Sequence, residues 1–240
     1  MMTKVLGYEK YIVAGGDHGG LIAGWMARDY PKEVLAQQQH MFYPRHAESP
    51  WQEGKVGPNP TKAEQSFVDR EKAGTFDQMA YILTHVARGE TLGAALHDSP
   101  VGQLAWIAEK WHYWTDRRGK SGKEGPLDDV VPPERILDEV MVYIATDSFR
   151  TSLWPYIAIG QENVTTLKEG EKIANPCGVT AWPDPVFPLP PKEYVLRSRT
   201  NLIHNTTPAK GGHFPMVEQP TLFVEDMRQF GAAVRKFYRK

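Results

Sequence analysis

The sequence predicts an α/β fold in which a mainly helical segment is inserted between two parts of a strand-and-helix core. Three observations support this fold. Residues 11–29 read as a strand, a glycine-rich turn and a helix, apolar residues recur at helical spacing over 62–117, and short strand-like runs return near the C-terminus. We therefore predict a first part of the core at 1–60, a helical lid at 61–175 and a second part of the core at 176–240.

The elements of the first part follow from local sequence. The apolar run Tyr11–Ala14 predicts a strand, and the helical pattern after it ends before Pro31 because the position preceding a proline disfavours helical geometry. Val34–Tyr43 predicts a second strand. Residues 44–60 are then rich in proline and glycine, which is typical of a boundary, so we place the start of the lid near Thr61.

The same patterns predict the elements that follow. In the lid, Leu104, Ile107 and Trp111 lie on one face of a helix. The later predicted elements are a helix from Pro133 to about Ala145, strands at Val179–Trp182 and Leu202–Asn205, and an amphipathic helix at Leu222–Phe237.

The composition disfavours several classes of function. The 28 Lys and Arg residues nearly balance 29 Asp and Glu residues, so no basic surplus favours nucleic acid or an anionic membrane as a partner. Cys177 is the single cysteine, which excludes an internal disulfide and a thiolate metal cluster and fits a reducing compartment. No signal peptide or membrane helix is predicted. We expect a cytoplasmic protein without a metal site, and the sequence leaves homo-oligomerisation open.

The stretch Gly15-Gly16-Asp17-His18-Gly19 lies between the first strand and the first helix. A turn that projects one side chain forward from a strand into a helix strains that residue, and the neighbours two before and two after must be small. Gly15 and Gly19 meet this requirement around Asp17. The pattern is that of the nucleophile elbow of α/β hydrolases, with a carboxylate in place of serine. Two simpler interpretations are a helix-capping aspartate and part of a phosphate-binding loop.

A carboxylate nucleophile suits displacement at carbon. It is ionised at neutral pH, since its ordinary pKa is about 3.9, and its attack on an epoxide or alkyl halide leaves an ester on the enzyme. Hydrolysis of that ester requires a histidine that activates water. Among eight histidines, His213 is the best candidate because it lies in a glycine-containing loop after the lid, where the chain order nucleophile, acid, histidine requires the base.

A carboxylate and two phenols would complete the site. The histidine needs an acid on its other ring nitrogen. Asp184 follows a predicted strand and is the preferred acid, although an aspartate between prolines is also ordinary turn chemistry, and Glu193 is the alternative. Two lid tyrosines would hydrogen-bond the epoxide oxygen. We expect Tyr81 on the first lid helix and Tyr156, which follows Trp154 and Pro155, at the end of the last lid helix. The residues alone do not decide among Tyr81, Tyr113, Tyr143 and Tyr156.

Three stretches together resemble the microsomal-type epoxide hydrolases, a family that includes juvenile-hormone and fungal epoxide hydrolases. They are Gly15–Gly19, His97–Lys110 and Gly211–Phe214, and the resemblance extends over nearly the whole chain. It implies an α/β-hydrolase core with an inserted lid and the hydrolysis of an epoxide, with water, to a vicinal diol without a cofactor.

The resemblance also implies roles for particular residues. It places the nucleophile at Asp17, the base at His213 and the two epoxide-binding tyrosines at Tyr81 and Tyr156. The backbone N–H of His18 would serve the oxyanion hole.

The chain departs from the family in three places. His18 stands where the family usually has tryptophan, which changes the pocket wall. The acid segment Trp182-Pro183-Asp184 is one residue shorter than the family's Phe-Pro-x-Glu/Asp pattern. The family's His-Gly-x-Pro loop and the strands before the elbow have no counterpart in this sequence, so we expect a core that lacks the family's N-terminal strands.

Three functional hypotheses follow. The first is epoxide hydrolysis through an aspartyl ester. The second is dehalogenation of a haloalkane by the same carboxylate, which a tyrosine pair disfavours. The third is an inactive truncated remnant or an interaction protein. The lid tryptophans fit a hydrophobic substrate and ordinary helix packing equally well, and the sequence does not separate detoxification from biosynthesis.

Overall fold

A computed structural model describes residues 1–51, 53–118 and 122–239. Within these ranges, one parallel sheet of four strands has the order β1-β2-β3-β4. The strands are β1 (Tyr11–Gly15), β2 (Val34–Gln39), β3 (Cys177–Thr180) and β4 (Leu202–Thr206). The α/β architecture that the sequence predicts is confirmed.

The helices follow the predicted arrangement around this sheet. In the part of the chain that the structure describes, one helix connects β1 to β2, six lie between β2 and β3, one connects β3 to β4 and two follow β4. They are α1 (His18–Asp29), α2 (Lys62–Ala73), α3 (Thr75–Gln78), α4 (Ala80–His97), α5 (Pro100–Trp114), α6 (Pro133–Thr146), α7 (Trp154–Gln161), α8 (Lys192–Ser198), α9 (Pro215–Glu218) and α10 (Pro220–Tyr238). Short 3-10 turns occur at Leu127–Asp129 and Thr151–Leu153. In the described ranges, no helix is long and apolar enough to cross a membrane.

Two strands differ from their predicted bounds by more than one residue. β2 ends at Gln39 rather than Tyr43, because its partner β1 ends at Gly15, which pairs with Gln39, and turns into the elbow. β3 starts two residues before the predicted Val179 and ends at Thr180, ahead of Pro183, which cannot donate a ladder hydrogen bond.

The positions of both lid tyrosines differ from the predicted ones. Tyr81 is in α4, the third helix after β2 rather than the first. Tyr156 is in the first turn of α7, not at the end of a helix, because Pro155 occupies the first turn, where a missing N–H costs nothing.

Helices α1 and α10 pack on the sheet through a few buried residues. Ala27 of α1 packs with Val34 of β2 in one buried cluster, and Phe230 and Val234 of α10 pack with Ala36 in another. Parallel strands need such cover because both of their faces are buried. The loops that leave the carboxyl ends of β1, β3 and β4 therefore meet at one edge of the sheet, next to helices α4, α5 and α7.

Candidate active site

Asp17 occupies a strained turn between β1 and α1. Its φ is 48° and its ψ is −130°, a conformation that a residue with a side chain adopts only when the surrounding structure holds it. The backbone N–H of His18 donates to Asp17 Oδ1 at 2.6 Å. The other carboxylate oxygen, Oδ2, does not accept this N–H and points to the loop that carries His213, which we call the histidine loop.

The two glycines around the elbow are not equivalent. A Cβ on Gly15 would lie 2.3 Å from the backbone carbon of Gly19, so the requirement for a small residue holds there. A Cβ on Gly19 would meet no atom within 4 Å. The expectation that both positions must be small is therefore wrong for Gly19, because the close approach involves the backbone of that residue and not its side-chain direction.

This difference gives a matched pair of variants. We expect Gly15→Ala to destabilise the fold by about 3 kcal/mol, since the clash is with backbone and must shift the elbow. Gly19→Ala adds a methyl group within a helix and should be neutral or stabilise by about 0.5 kcal/mol. Urea unfolding of both variants measures this, and equal midpoints for the two would contradict the proposed packing of the elbow.

His213 links the two carboxylates predicted for the site. Its Nε2 lies 2.9 Å from Asp17 Oδ2, and its Nδ1 lies 2.7 Å from Asp184 Oδ2. The side chains of His213 and Asp184 are 4% and 5% exposed, whereas that of Asp17 is 33% exposed and can be reached from the cavity. Asp184 is fixed in turn by the N–H groups of Val186 and Phe187, at 2.8 and 2.9 Å. The alternative acid, Glu193, lies exposed on α8.

Electrostatics within this group favour an ion pair in the resting chain. Burial by itself lowers the pKa of His213, but the charge of Asp184 and the hydrogen bonds to Asp17 and Asp184 outweigh it and raise that pKa to about 10. Burial by itself raises the pKa of Asp17, and the hydrogen bond and charge of His213 outweigh it and hold the pKa below its usual value. At neutral pH the carboxylate is therefore ionised beside an imidazolium.

Tyr81 and Tyr156 converge above Asp17 from α4 and α7. Their ring centroids are 5.9 Å apart, and both rings line the cavity over Asp17. Burial, reinforced by the Asp17 charge, raises the pKa of both phenols, so both remain proton donors at neutral pH. Of the other two tyrosines considered, Tyr113 is exposed and Tyr143 borders a neighbouring cavity.

A cavity of about 50 Å³ lies over the Asp17 carboxylate. Its wall is almost entirely apolar apart from the carboxylate, His18, Thr165 and the tyrosines, and it includes Leu21, Met41, Trp51, Ile82, Ile159 and Phe187. A larger cavity of about 280 Å³ shares His18, Tyr81 and Tyr156 with it. The His18 ring lies 4.7 Å from the Tyr156 ring, so the residue that replaces the family's tryptophan forms part of the wall of both cavities.

Within the described ranges, the other buried histidines do not hydrogen-bond Asp17 or Asp184, although the ring of His85 lies 4.5 Å from that of Tyr156. Burial lowers the pKa of His40 and of His85 to about 4, so both are neutral packing residues at pH 7. His204 Nε2 lies 2.8 Å from Asp226 Oδ1, a second His–Asp pair, which Thr180 and Thr206 also contact between the sheet and α10. Among the described residues, no group of three or more His, Cys, Asp or Glu side chains could hold a metal ion.

The sequence analysis did not predict the groups that hold His213. Glu218 and Asp116 accept hydrogen bonds from the backbone of the histidine loop, and the ring of Trp114 lies 4.9 Å from that of His213. The sequence gives only a weak signal for these contacts. A glutamate five residues after a histidine is common, and Asp116 lies 95 residues before Gly211 and 102 residues before Glu218.

The chain has a parallel sheet, a strained aspartate elbow, and an acid and a histidine on loops after later strands. These features define an α/β hydrolase with a carboxylate at the nucleophile position. Solved structures share this fold. The chain aligns with Aspergillus niger epoxide hydrolase at a TM-score of 0.74 and 27% identity, covering 97% of this chain and 55% of that one. It aligns with the juvenile hormone epoxide hydrolase of Bombyx mori at a TM-score of 0.73 and 25% identity, covering 98% of this chain and 52% of that one.

Sequence comparison gives the same family. The chain is 30% identical to a putative epoxide hydrolase of Stigmatella aurantiaca over 95% of its length and 48% of the relative's. It is 29% identical to juvenile hormone epoxide hydrolase 1 of Ctenocephalides felis over 100% and 53%. No family model matches the chain. The chain belongs to the epoxide hydrolases of the juvenile-hormone and microsomal type, and it spans about half the length of the curated relatives it matches.

Proposed function

We propose that this chain carries the catalytic centre of an epoxide hydrolase, which converts a hydrophobic epoxide and water to a vicinal diol. The observation that supports this most strongly is the contact of His213 with both Asp17 and Asp184, next to a cavity that Tyr81 and Tyr156 line together. The apolar wall of the cavity over Asp17 supports a hydrophobic substrate.

The first step forms an ester. The epoxide oxygen accepts hydrogen bonds from Tyr81 and Tyr156 while Asp17 Oδ2 attacks a ring carbon and the carbon–oxygen bond breaks. A tyrosine hydroxyl donates a proton to the departing oxygen, so no free alkoxide accumulates. Oδ1 remains on the N–H of His18, which is the oxyanion donor that the described residues supply.

The second step hydrolyses the ester. Esterification removes the charge of Asp17, and with it one of the interactions that raise the pKa of His213. The imidazolium then returns its proton, by way of solvent, to the tyrosinate that the first step left, and the neutral imidazole takes a proton from a water molecule, with Asp184 stabilising the new imidazolium. The hydroxide adds to the ester carbonyl, the carbon–oxygen bond to the alcohol breaks, and the departing alkoxide takes the proton of the added hydroxyl group. The diol leaves, and the tyrosine, the imidazolium and the Asp17 carboxylate are all restored.

Product analysis separates this activity from dehalogenation. We expect purified chain to convert an aryl epoxide such as styrene oxide to its diol, and to release no halide from a haloalkane of similar size. Halide release without diol formation would support the dehalogenase hypothesis. A cooperatively folded chain that turns over neither substrate would support the inactive remnant.

The tyrosine pair gives a further prediction. Tyr81→Phe and Tyr156→Phe should each slow ester formation about 10-fold, and the double variant should slow it about 10²-fold or more, since one phenol can partly replace the other. Single-turnover rates of epoxide consumption measure this step. Tyr113→Phe, at an exposed position, is the matched control. A double variant with the rate of the wild type would exclude the assigned role.

A cytoplasmic location is a further proposal. It is supported by the single cysteine, Cys177, which is buried and unpaired and does not require an oxidising compartment.

A further inference from the structure

Four consecutive backbone N–H groups of the histidine loop are all held by specific acceptors. Gly211 N donates to Asp116 Oδ2 at 3.2 Å, and Gly212 N donates to Glu218 Oε2 at 2.7 Å. His213 N donates to the carbonyl oxygen of Trp114 at 2.9 Å, and Phe214 N donates to Glu218 Oε1 at 2.8 Å. The loop that carries the base is therefore fixed residue by residue.

These acceptors come from two directions. Glu218, at the end of α9, is buried and also accepts the N–H of Asp116 at 2.8 Å. Trp114 and Asp116 lie at the end of α5, whose first turn is capped by Ser99. Asp116 is held by Arg118, with contacts of 2.6 and 2.9 Å. The Glu218 carboxylate thus binds the backbone at the end of lid helix α5 and the backbone N–H groups on both sides of His213.

The approach between these segments is close. A Cβ on Gly212 would lie 2.6 Å from Asp116 N and from the Trp114 carbonyl oxygen. The loop consequently lies against the end of α5 with no space for a side chain, and a displacement of either segment moves the other.

The two chemical steps differ in what they need from this loop. Ester formation needs the Asp17 carboxylate and the tyrosines, which lie on the elbow, α4 and α7. Ester hydrolysis also needs the imidazole at the correct distance from both a water molecule and Asp184. A displacement of about 1 Å in a catalytic group can cost about 10²-fold in rate.

We propose that Glu218 is a positioning residue for the hydrolytic step, and that through it the end of lid helix α5 sets the place of His213. This inference rests on the proposed function, because the step that it governs is the hydrolysis of the aspartyl ester. Glu218 does not contact the reacting atoms and acts through the backbone of residues 212–214.

The test is a comparison of the two steps in Glu218→Gln. Glutamine keeps the size of the side chain and one accepting oxygen, but its amide group replaces the other acceptor and faces an N–H donor. We expect ester hydrolysis to fall by about 10- to 10²-fold while ester formation stays within about threefold of the wild type. The alkylated chain should therefore accumulate during turnover of styrene oxide. Rapid quenching and intact-mass measurement give both rates.

Two further variants keep the test decisive. Glu225→Gln, at an exposed position of α10, should change neither step. Asp116→Ala removes the acceptor of Gly211 N–H together with the ion pair to Arg118, leaves the contacts of Glu218 in place, and should slow hydrolysis in the same direction by a smaller factor. Equal losses in both steps, or no loss in either, for Glu218→Gln would overturn the inference.

Hydrogen exchange separates this inference from the proposed function. In Glu218→Gln, the amides of residues 211–214 should exchange at least tenfold faster than in the wild type, whether or not the chain turns over an epoxide. A wild type that forms no ester would contradict the proposed function alone. Unchanged exchange in the loop would contradict the anchoring by Glu218.

Discussion

Asp17→Asn is expected to abolish diol formation, with a loss of about 10⁴-fold or more. The amide is not a nucleophile, so neither step can begin. Asparagine keeps the size of the side chain and an oxygen that can accept the N–H of His18, so the strained elbow and the cavity should persist. The loss would then report chemistry and not unfolding.

Initial rates of diol formation from an aryl epoxide measure this effect. Asp138→Asn, an exposed aspartate on α6, is the matched control and should retain full activity. Urea unfolding of Asp17→Asn should remain cooperative. A folded Asp17→Asn chain that retained a tenth of the activity would rule out Asp17 as the nucleophile.

His213→Gln is expected to separate the two steps. Ester formation should continue, because the carboxylate and both tyrosines are intact, while ester hydrolysis should fall by about 10³-fold, as removal of a general base commonly does. A first turnover without release of diol should follow. His97→Gln, which replaces a half-exposed histidine at the end of α4, is the control for the substitution itself.

The pH dependence of the same step follows from the electrostatics of His213. Its pKa is raised, so the imidazole is protonated and inactive as a base below that pKa and becomes active as the pH rises through it. In the ester, Asp17 no longer contributes its charge. The rate of ester hydrolysis should therefore rise at a pH below about 10, which is the pKa of His213 in the resting chain. Ester breakdown in the wild type should rise with pH and reach a plateau. His213→Gln should lose this dependence.

The parts of the site that the sequence predicted are those set by local pattern and chain order. An apolar run, two glycines and a helical period predict the elbow at Asp17 without any knowledge of distant contacts. His213 and Asp184 follow from their loops after predicted strands, and in the structure both lie in one hydrogen-bonded group with Asp17. The choice of Tyr81 and Tyr156 needed the family resemblance, because helical spacing does not tell which of several tyrosines faces the nucleophile.

Contacts between distant segments account for the rest. The anchoring of the histidine loop depends on Asp116 and Glu218, which meet across 102 residues, and no local signal marks either. The bounds of β2 were set by where its partner ends rather than by its own apolar run. Likewise, the space for a side chain at Gly19 depends on the direction in which its Cβ would point. The pattern of small residues in the sequence does not give this direction.

The most direct test of a covalent aspartyl mechanism is the intact mass of His213→Gln after exposure to styrene oxide, followed by peptide mapping. We expect one added epoxide mass per chain that persists after dilution, located on the peptide containing Asp17 and absent from the wild type at steady state. A folded His213→Gln chain with no adduct on Asp17, or an adduct at another residue only, would contradict it.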